Sequence, residues 1–464
     1  MLRYCKKAFY LVTLLFLLNA CEDDNRYLDR LNETSLFNDS MQQLTDVIVY
    51  DIFSPPVASR VYAYPTVAAY SIMQKTYPEK YSSLKGQLTD FPGITDINDP
   101  NIIPNLSAIH AFLVVGKALI FSENKIDEYR ENLYEELKNL GLPKKQFEKS
   151  IQYGEIVAAE ILSWADTDFY KQTRTYPKYT IQQDDKYWKP TPPDYMEGIE
   201  PHWNKIRPMV LPFADIFNPP PPLKIDMDPN SKFYNELMEV YEVGKQVTED
   251  NNDSEEAKIA AFWDCNPYVS HHKGHAMFAT KKITPGGHWI GITKIATEIA
   301  EDTFDEAINS YLQVSVALFE GFISCWDTKW NTLVVRPETL INQYLDEEWL
   351  PKLQTPPFPE YTSGHSVISK ASAVVLTKIY GDNFSFDDTT EIKYGLPVRS
   401  FNSFMHAADE AAISRLYGGI HYRMAIEYGV EQGEKVGDYI SQNLTTLSNS
   451  QEVAQNYSQE VAQN

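Results

Sequence analysis

Apolar residues recur at intervals of three and four positions along most of the chain, the spacing that places them on one face of an α-helix. Strict alternation of apolar and polar residues, which is typical of a half-buried strand, is rare. The chain is therefore predicted to be all-α. The segments with helical spacing are 45–53, 60–74, 105–122, 124–140, 147–163, 233–248, 255–264, 290–326, 364–380, 401–415 and 420–442.

The first residues have the order of charged and apolar positions that is typical of an export signal. Arg3, Lys6 and Lys7 precede an apolar run of 11 residues, which is too short to span a bilayer of about 30 Å. The run ends in Leu-Asn-Ala-Cys, which resembles the lipobox of bacterial lipoproteins. We therefore expect lipidation at Cys21, a membrane anchor, and a location in the cell envelope at the outer membrane. The acidic residues after Cys21 fit either surface export or a plain solvated tether.

Changes in composition divide the rest of the chain. Residues 165–230 are rich in proline and aromatic residues and predict an ordered loop or a domain junction. A polar seven-residue repeat near the C-terminus predicts a solvated tail. The predicted parts are a signal peptide (1–20), a polar tether (21–40), an N-terminal helical region ending in the Pro/aromatic-rich loop (41–229), a second helical domain (230–445) and a polar tail (446–464).

The charge balance excludes one class of partner. The 464 residues include 41 Lys and Arg against 64 Asp and Glu, which gives a formal charge of −23. Nucleic-acid binding depends on Lys and Arg that neutralise phosphates, so no nucleic acid is expected as a partner. No later stretch reaches the roughly 20 apolar residues of a transmembrane helix. Apart from Cys5 and Cys21 only Cys265 and Cys325 remain, so a disulfide framework is excluded and the state of these two thiols stays open.

A first cluster of candidate functional residues is Lys329 and Arg336, followed by Pro337. Seven residues make two helical turns, so both cations are predicted to lie on one helix face. Because Pro337 biases the preceding residue out of the α region, the helix is predicted to end at Arg336. Two solvated surface cations explain this pattern equally well when it is taken alone.

A second cluster, Ser363-Gly364-His365, precedes an apolar helical stripe and is predicted to lie at a helix N-terminus. The free N–H groups and the helix dipole bind anions at such a position, and glycine allows close approach of a ligand. The alternative is an ordinary N-cap, Ser363, with His365 as a first-turn residue.

A third cluster contains Arg415 and His421, separated by a glycine pair that is predicted to end one helix before His421 opens the next. Small residues recur every four positions along that last helix and predict close packing. They are Ala425, Gly429, Gly433 and Gly437.

In this order the motifs Lys-x6-Arg-Pro, Ser-Gly-His and Ser-Arg-x5-His resemble the signature of the vanadium-dependent haloperoxidase and type 2 phosphatidic acid phosphatase superfamily. The resemblance covers residues 325–430 directly and 230–445 more loosely. It implies a helical bundle that binds a tetrahedral oxyanion, with vanadate as the cofactor of haloperoxidases and phosphate in the same site of phosphatases. No other metal is expected.

The resemblance also implies a role for each residue. His365 would act as the acid/base group, Lys329 would polarise bound peroxide, and His421 would be the protein ligand of vanadium. In a phosphatase His421 would instead be the phosphorylated nucleophile. The residues implied to hold the oxyanion are Lys329, Arg336, Ser363, Gly364, Arg415 and His421.

Oxidation of halide by hydrogen peroxide is therefore the expected reaction. Hydrolysis of phosphomonoesters by an acid phosphatase is the first alternative, and a non-catalytic surface lipoprotein is the second. Ala425 stands where the family commonly has an Asp that orients the histidine, which argues against a phosphatase unless another carboxylate takes its place. The oligomeric state is not predicted.

Three further groups of residues carry weaker signals. Phe358 falls where chloride-oxidising members carry Phe, which marks a halide pocket, although a packing residue in a Pro-rich segment fits equally well. His288 is expected to be a packing residue, in preference to a residue that lines the entrance to the oxyanion pocket. A polar loop is expected at His271, His272 and His275, in preference to a metal site.

Overall fold

The computed structural model describes residues 25–247, 253–273, 276–279 and 281–448, with residues 270–279 described by their backbone alone. Fifteen α-helices and two small antiparallel hairpins make up the regular structure of this part of the chain. The all-α prediction is therefore confirmed. Cys21, the predicted signal peptide and the tail beyond residue 448 lie outside the described residues.

The first half contains seven helices and a long loop with a single 3₁₀ turn, Trp203–Lys205. The helices are α1 (Arg26–Asn32), α2 (Thr34–Tyr50), α3 (Pro55–Thr76), α4 (Pro104–Ala118), α5 (Glu123–Asn139), α6 (Lys144–Ala165) and α7 (Tyr170–Thr173).

The second half contains the other eight helices, the two hairpins and a second 3₁₀ turn, Ile392–Tyr394. Its elements are α8 (Lys232–Lys245), α9 (Glu255–Phe262), β1 (Ser270–Lys273), β2 (Ala276–Ala279), α10 (Pro285–Ile299), α11 (Phe304–Thr332), α12 (Pro337–Tyr344), α13 (Gly364–Tyr380), β3 (Phe386–Asp388), β4 (Arg399–Phe401), α14 (Phe404–Tyr417) and α15 (Arg423–Asn443).

The central element is α11, which is buried along nearly its whole length and packs against α3 of the first half and α13 of the second. One continuous hydrophobic core therefore contains residues of both halves, from Tyr27 to Leu444. Several helices begin with a hydroxyl side chain that accepts a backbone N–H group of the first turn. These N-caps are Ser54, Ser231, Ser254, Thr284, Ser363 and Ser403.

The predicted tether over 21–40 is wrong from residue 26 onward. Helices α1 and α2 occupy this segment, and Tyr27, Leu31, Leu36 and Phe37 are buried in the main core. Polar residues outnumber apolar ones here, but the apolar ones fall on one helical face.

The single helix predicted over 290–326 is two helices. Helix α10 ends at Ile299, Glu301 adopts a positive φ of 54°, and α11 begins after Thr303. Thr303 and Glu306 form a capping box, in which each side chain binds the backbone N–H of the other residue. Because apolar spacing continues on both sides of this short break, the periodicity did not indicate it.

The close packing predicted for the last helix is confirmed. A Cβ atom at Gly433 would collide with the backbone oxygen of Val367, and one at Gly437 would lie 2.8 Å from Cβ of Val374. Helix α15 therefore rests directly on α13 along its glycine positions.

The end of the described chain returns to the first half. Ser82 donates its backbone N–H to the Thr446 oxygen (2.8 Å), and the Tyr70 hydroxyl donates to the same oxygen (2.7 Å). The Gln87 side chain donates to the Thr445 oxygen (2.9 Å) and accepts the Thr445 N–H (2.7 Å). No helix among the described residues is long and apolar enough to cross a membrane.

Candidate functional site

Each of the three predicted clusters lies at or beside a helix end, and these helix ends meet at one place in the fold. Lys329 is in the last turn of α11, Arg336 precedes α12, and Ser363 to His365 open α13. Arg415 is in the last turn of α14, and His421 precedes α15 by two residues. The helix ends and the turns beside them therefore supply the acid/base histidine and all six residues that the resemblance implies for the oxyanion.

Two details of the sequence interpretation are wrong. Helix α11 ends at Thr332, where Leu333 takes a left-handed conformation, so Arg336 belongs to the loop that starts α12 and does not share a helix face with Lys329. His421 also lies outside α15, in the turn that follows Gly419. These turns bring Arg336 and His421 within hydrogen-bond distance.

Lys329 is fully buried, and backbone oxygens hold its ammonium group. Nζ donates to the carbonyl oxygens of Pro359 (2.9 Å) and Glu360 (3.0 Å). Burial, with the nearby Arg336 cation, lowers the pKa of Lys329 to about 7. The Pro-rich segment before α13 thus serves as a rigid support for this cation.

The two arginines are held by backbone carbonyls in the same way. Arg336 donates from Nε to the Phe358 oxygen (2.9 Å) and from Nη1 to the Ile420 oxygen (2.8 Å). Arg415 donates from Nη1 to the Trp263 oxygen (2.6 Å). Both guanidinium groups are at most 1% exposed, and burial lowers the pKa of each, that of Arg336 to about 10.

Ser363 is the N-cap of α13, and its Oγ accepts the Ser366 N–H (3.3 Å). A Cβ atom added to Gly364 would meet only Trp326 at 3.6 Å and Lys329 at 4.0 Å, which are ordinary contacts. The protein itself therefore leaves room beside Gly364. Burial, together with the Arg415 cation, holds the pKa of His365 well below its usual range, so this imidazole is neutral.

His421 is fixed on both ring nitrogens. Nδ1 lies 2.8 Å from Glu360 Oε1, which also accepts the Tyr422 N–H (3.0 Å), and Nε2 lies 3.1 Å from Arg336 Nη1. Burial and the neighbouring Arg336 lower the pKa of His421 well below its usual range. We assign the proton to Nδ1, because Glu360 Oε1 already accepts the Tyr422 N–H and is therefore the acceptor oxygen, whereas Arg336 can only donate to Nε2. The lone pair of Nε2 then faces the cations.

Glu360 is the residue that the sequence interpretation missed. It is fully buried, and burial raises the pKa of its carboxyl to about 8, while Arg336 and Lys329 favour its charged form. Ala425 cannot orient the His421 ring as the Asp common in the family would. Glu360, which lies 61 residues before His421, orients the ring instead. An acidic residue enclosed by a Pro-rich buried segment was the available signal.

Several polar atoms of these residues are buried and have no hydrogen-bond partner among the described residues. They are Arg336 Nη2, Glu360 Oε2, His365 Nε2 and Arg415 Nε. Leaving such groups unsatisfied costs about 1–3 kcal/mol each, and more where charge is involved. Because two of these atoms are guanidinium donors, a bound oxyanion would satisfy them.

A small cavity adjoins these groups, with a free volume of about 30 Å³. One water needs roughly 10–15 Å³ by the same kind of measure, so the cavity accepts a small ion and excludes bulky molecules. Phe358 lies in its wall, 5.0 Å from the Trp326 ring and 5.1 Å from both Lys329 Nζ and Arg336 Cζ. Its other lining residues include Cys265, Tyr268, Gly364, His365, Arg415 and His421.

The fold and this pocket define a class: a helical-bundle protein in which three buried cations and two neutral histidines surround a pocket suited to a small oxyanion. Comparison with known proteins narrows the class further. A family model described as the VCPO second helical-bundle domain matches residues 309–450. A search of curated protein sequences gives no match.

Two solved structures of bacterial enzymes are similar to this chain over at least 85% of its length. The first bacterial vanadium-dependent iodoperoxidase is 50% identical, with a TM-score of 0.86, over 90% of this chain and 98% of its own. A bacterial vanadium-dependent chloroperoxidase in its holo form is 15% identical over 85% of this chain and 93% of its own, with a TM-score of 0.61, and shows the fold alone. The chain belongs to the vanadium-dependent haloperoxidase family.

Proposed function

We propose that this enzyme oxidises halide with hydrogen peroxide at a vanadate held in the pocket, and that iodide is its preferred halide. The observation that carries the proposal is the set of buried guanidinium donors left without partners around His421. These donors would bind the oxygen atoms of vanadate, and Nε2 of His421 would be its protein ligand. The proposed ligand set is Lys329, Arg336, Ser363, Gly364, Arg415 and His421.

Bound vanadate supplies Lewis-acid activation of hydrogen peroxide without a change in its own oxidation state. The protein residues bind the vanadate and orient it. Lys329 and the two arginines offset the anionic charge, and the start of α13 offers the N–H groups that Ser363 does not cap. His365, with an unpartnered Nε2 at the pocket, is placed to accept and return a proton.

Iodide is proposed because the relative that is 50% identical is an iodoperoxidase. Iodide is also the halide that gives up electrons most readily, so it makes the smallest demand on the activated peroxide. Phe358 in the cavity wall fits a halide contact, and its role there remains a prediction.

The phosphatase alternative is not favoured over the haloperoxidase. Ala425 no longer disfavours a phosphatase, however, because Glu360 orients His421 in place of the missing Asp. The preference for halide oxidation rests on the family relationship.

The test uses a chain that begins at Glu22 and is purified without phosphate. Iodide, bromide and chloride oxidation by hydrogen peroxide are followed with and without added orthovanadate, and hydrolysis of a phosphomonoester is followed in parallel. Vanadate-dependent oxidation, fastest with iodide, is expected. The variant His421→Ala should lose it, while His406→Ala, an exposed histidine on α14, should keep it. Vanadate-free hydrolysis without halide oxidation would overturn the proposal.

We further propose that Cys21 carries the lipid anchor and that the enzyme resides at the outer membrane. The support is the sequence alone, an apolar signal followed by Leu-Asn-Ala-Cys. Radiolabelled palmitate fed to expressing cells should label the wild type but not Cys21→Ser, and globomycin should cause a precursor that still carries residues 1–20 to accumulate. Equal labelling of the wild type and Cys21→Ser would contradict the proposal.

A further inference from the structure

Four side chains meet in a second buried cluster directly behind the pocket. Cys265 follows α9, His288 lies in the first turn of α10, Asp388 ends β3, and Glu391 follows it. They are 1%, 0%, 0% and 5% exposed, respectively. His288, which the sequence predicted to be a packing residue, therefore lies against three ionisable side chains.

Three donor atoms of this cluster have the mutual distances of metal ligands. His288 Nδ1 lies 3.4 Å from Cys265 Sγ and 3.2 Å from Glu391 Oε1, and Sγ lies 3.9 Å from Oε1. Tetrahedral zinc with ordinary bond lengths separates such donors by about 3.3–3.6 Å. A single zinc ion therefore fits between the three atoms with a shift of a few tenths of an ångström in the sulfur.

The second nitrogen of His288 has the partner that a metal-bound imidazole usually has. Nε2 lies 2.8 Å from Asp388 Oδ2 and 2.7 Å from the Thr390 hydroxyl, which donates to Asp388 Oδ1 (2.6 Å). A carboxylate on the far nitrogen fixes the proton there and leaves Nδ1 free to bind a metal. This arrangement orients the ring independently of the other two ligands.

The charges of the cluster call for a cation. Asp388 and Glu391 share one histidine, His288, which can carry at most one positive charge for two carboxylates, and no Lys or Arg among the described residues forms an ion pair with either of them. Buried carboxylates are normally paired with cations or bound to metals, because an uncompensated buried charge is costly. A divalent ion at the three donor atoms supplies the missing charge.

We propose that Cys265, His288 and Glu391 bind one zinc ion, with Asp388 orienting His288 and solvent completing the coordination. Binding forms bonds to the cysteine sulfur, to Nδ1 and to a carboxylate oxygen, and it releases the thiol proton to solvent. The site departs from the expectation that no metal besides vanadium is present.

The zinc ion would act as a structural tie for the oxyanion pocket. Trp263 stacks on the His288 ring at 4.5 Å, and its carbonyl oxygen accepts the Arg415 hydrogen bond. Cys265, two residues on, lines the cavity. Fixing this short segment to α10 therefore fixes the carbonyl that positions Arg415.

Metal analysis of untagged protein, purified without chelator and dialysed against trace zinc sulfate, tests the site. We expect about one zinc per chain, counted separately from vanadium. Cys265→Ser and Glu391→Gln should each reduce zinc at least tenfold. Cys325→Ser is the matched control, because Cys325 is also buried but lies outside the cluster, and it should retain zinc.

Cobalt substitution adds a measurement on the wild-type protein, which does not depend on how well any variant folds. Cobalt-loaded wild-type protein should show a thiolate-to-cobalt charge-transfer band, which Cys325→Ser keeps and Cys265→Ser loses. Wild-type protein that holds neither zinc nor this band would overturn the proposal, as would full zinc content in both folded ligand variants. In that case the cluster is a hydrogen-bonded histidine between two carboxylates.

Discussion

At the scale of single residues, the pocket depends on groups that hold the proposed ligands in place. Glu360 fixes the ring of His421, and carbonyl oxygens from the same Pro-rich segment hold Lys329. The charged and histidine residues were identifiable from the sequence because their spacing forms a motif. Glu360 was not, since its partner lies 61 positions away and no local pattern links the two.

The variant Glu360→Gln should weaken vanadate binding by roughly 10–100-fold, because the His421 ring loses its carboxylate partner. The measurement is the orthovanadate concentration that half-restores iodide oxidation. Glu236→Gln is the control, since Glu236 accepts the Met424 N–H at the start of α15 without touching His421. Equal vanadate affinity in both variants would show that Glu360 does not position the histidine.

The variant Gly364→Ala should leave the folded protein intact but reduce vanadate affinity. The added methyl group meets only ordinary contacts within the protein, at 3.6 Å or more, yet it occupies space beside the N–H groups of α13. Thermal unfolding without vanadate should match wild type, whereas the stabilisation produced by added vanadate should shrink. A lower melting temperature without vanadate would contradict this interpretation.

At the scale of elements, the ends of helices are the functional parts and their middles are structural. Periodicity located most helices, because burial of one face dictates the spacing of apolar residues. It did not locate α12 or the break between α10 and α11, since turns and caps depend on a few residues with no period. The same limit explains why Arg336 and His421 were assigned to helices that they adjoin.

Close packing of α15 on α13 supports the start of α13 at the pocket. The variant Gly433→Ala should destabilise the protein by about 1–3 kcal/mol, because the new Cβ collides with the Val367 oxygen. Chemical denaturation measures the loss. Gly286→Ala, where the nearest atom lies 3.5 Å away, should change stability by much less. Equal effects of the two changes would refute the packing argument.

At the scale of the whole molecule, the two halves share one core, and the N-terminal helices belong to it. The sequence separated a tether from a helical region, because a short amphipathic helix among many polar residues gives a weak signal. A chain that begins at residue 41 lacks four buried apolar side chains, each worth about 1.5–3 kcal/mol. It should be insoluble or unfolded, whereas a chain beginning at Glu22 should melt cooperatively. Native-like circular dichroism of the shorter chain would contradict this expectation.

Glu320 joins α11 to the long loop of the first half, and it makes stability depend on pH. Its carboxylate accepts backbone N–H groups of Met209, Val210 and Leu211, and burial raises its pKa to about 7. The folded protein therefore binds this proton more tightly than the unfolded chain, whose value is near 4.5. The protonated Glu320 carboxyl therefore stabilises the folded protein fully below pH 4.5, and this stabilisation is lost as the pH rises through about 7.

Urea denaturation at several pH values tests this contribution. Between pH 5 and 8 the wild type should lose on the order of 3 kcal/mol relative to Glu320→Gln. Glu135→Gln, an exposed glutamate on α5, should follow the wild type at every pH. Parallel curves for wild type and Glu320→Gln would exclude Glu320 as the source.

The pairing of residues 445–448 with the loop after α3 has a consequence for synthesis. The amide of Gln87 finds its partner 358 positions later, so the ribosome must make most of the protein before that hydrogen bond can form. At roughly 5–20 residues per second the delay is on the order of 20–70 s. Until residues 445–448 are available, part of the core of the N-terminal helices stays exposed, and a chaperone that shields this surface before or after export would raise the yield of active enzyme.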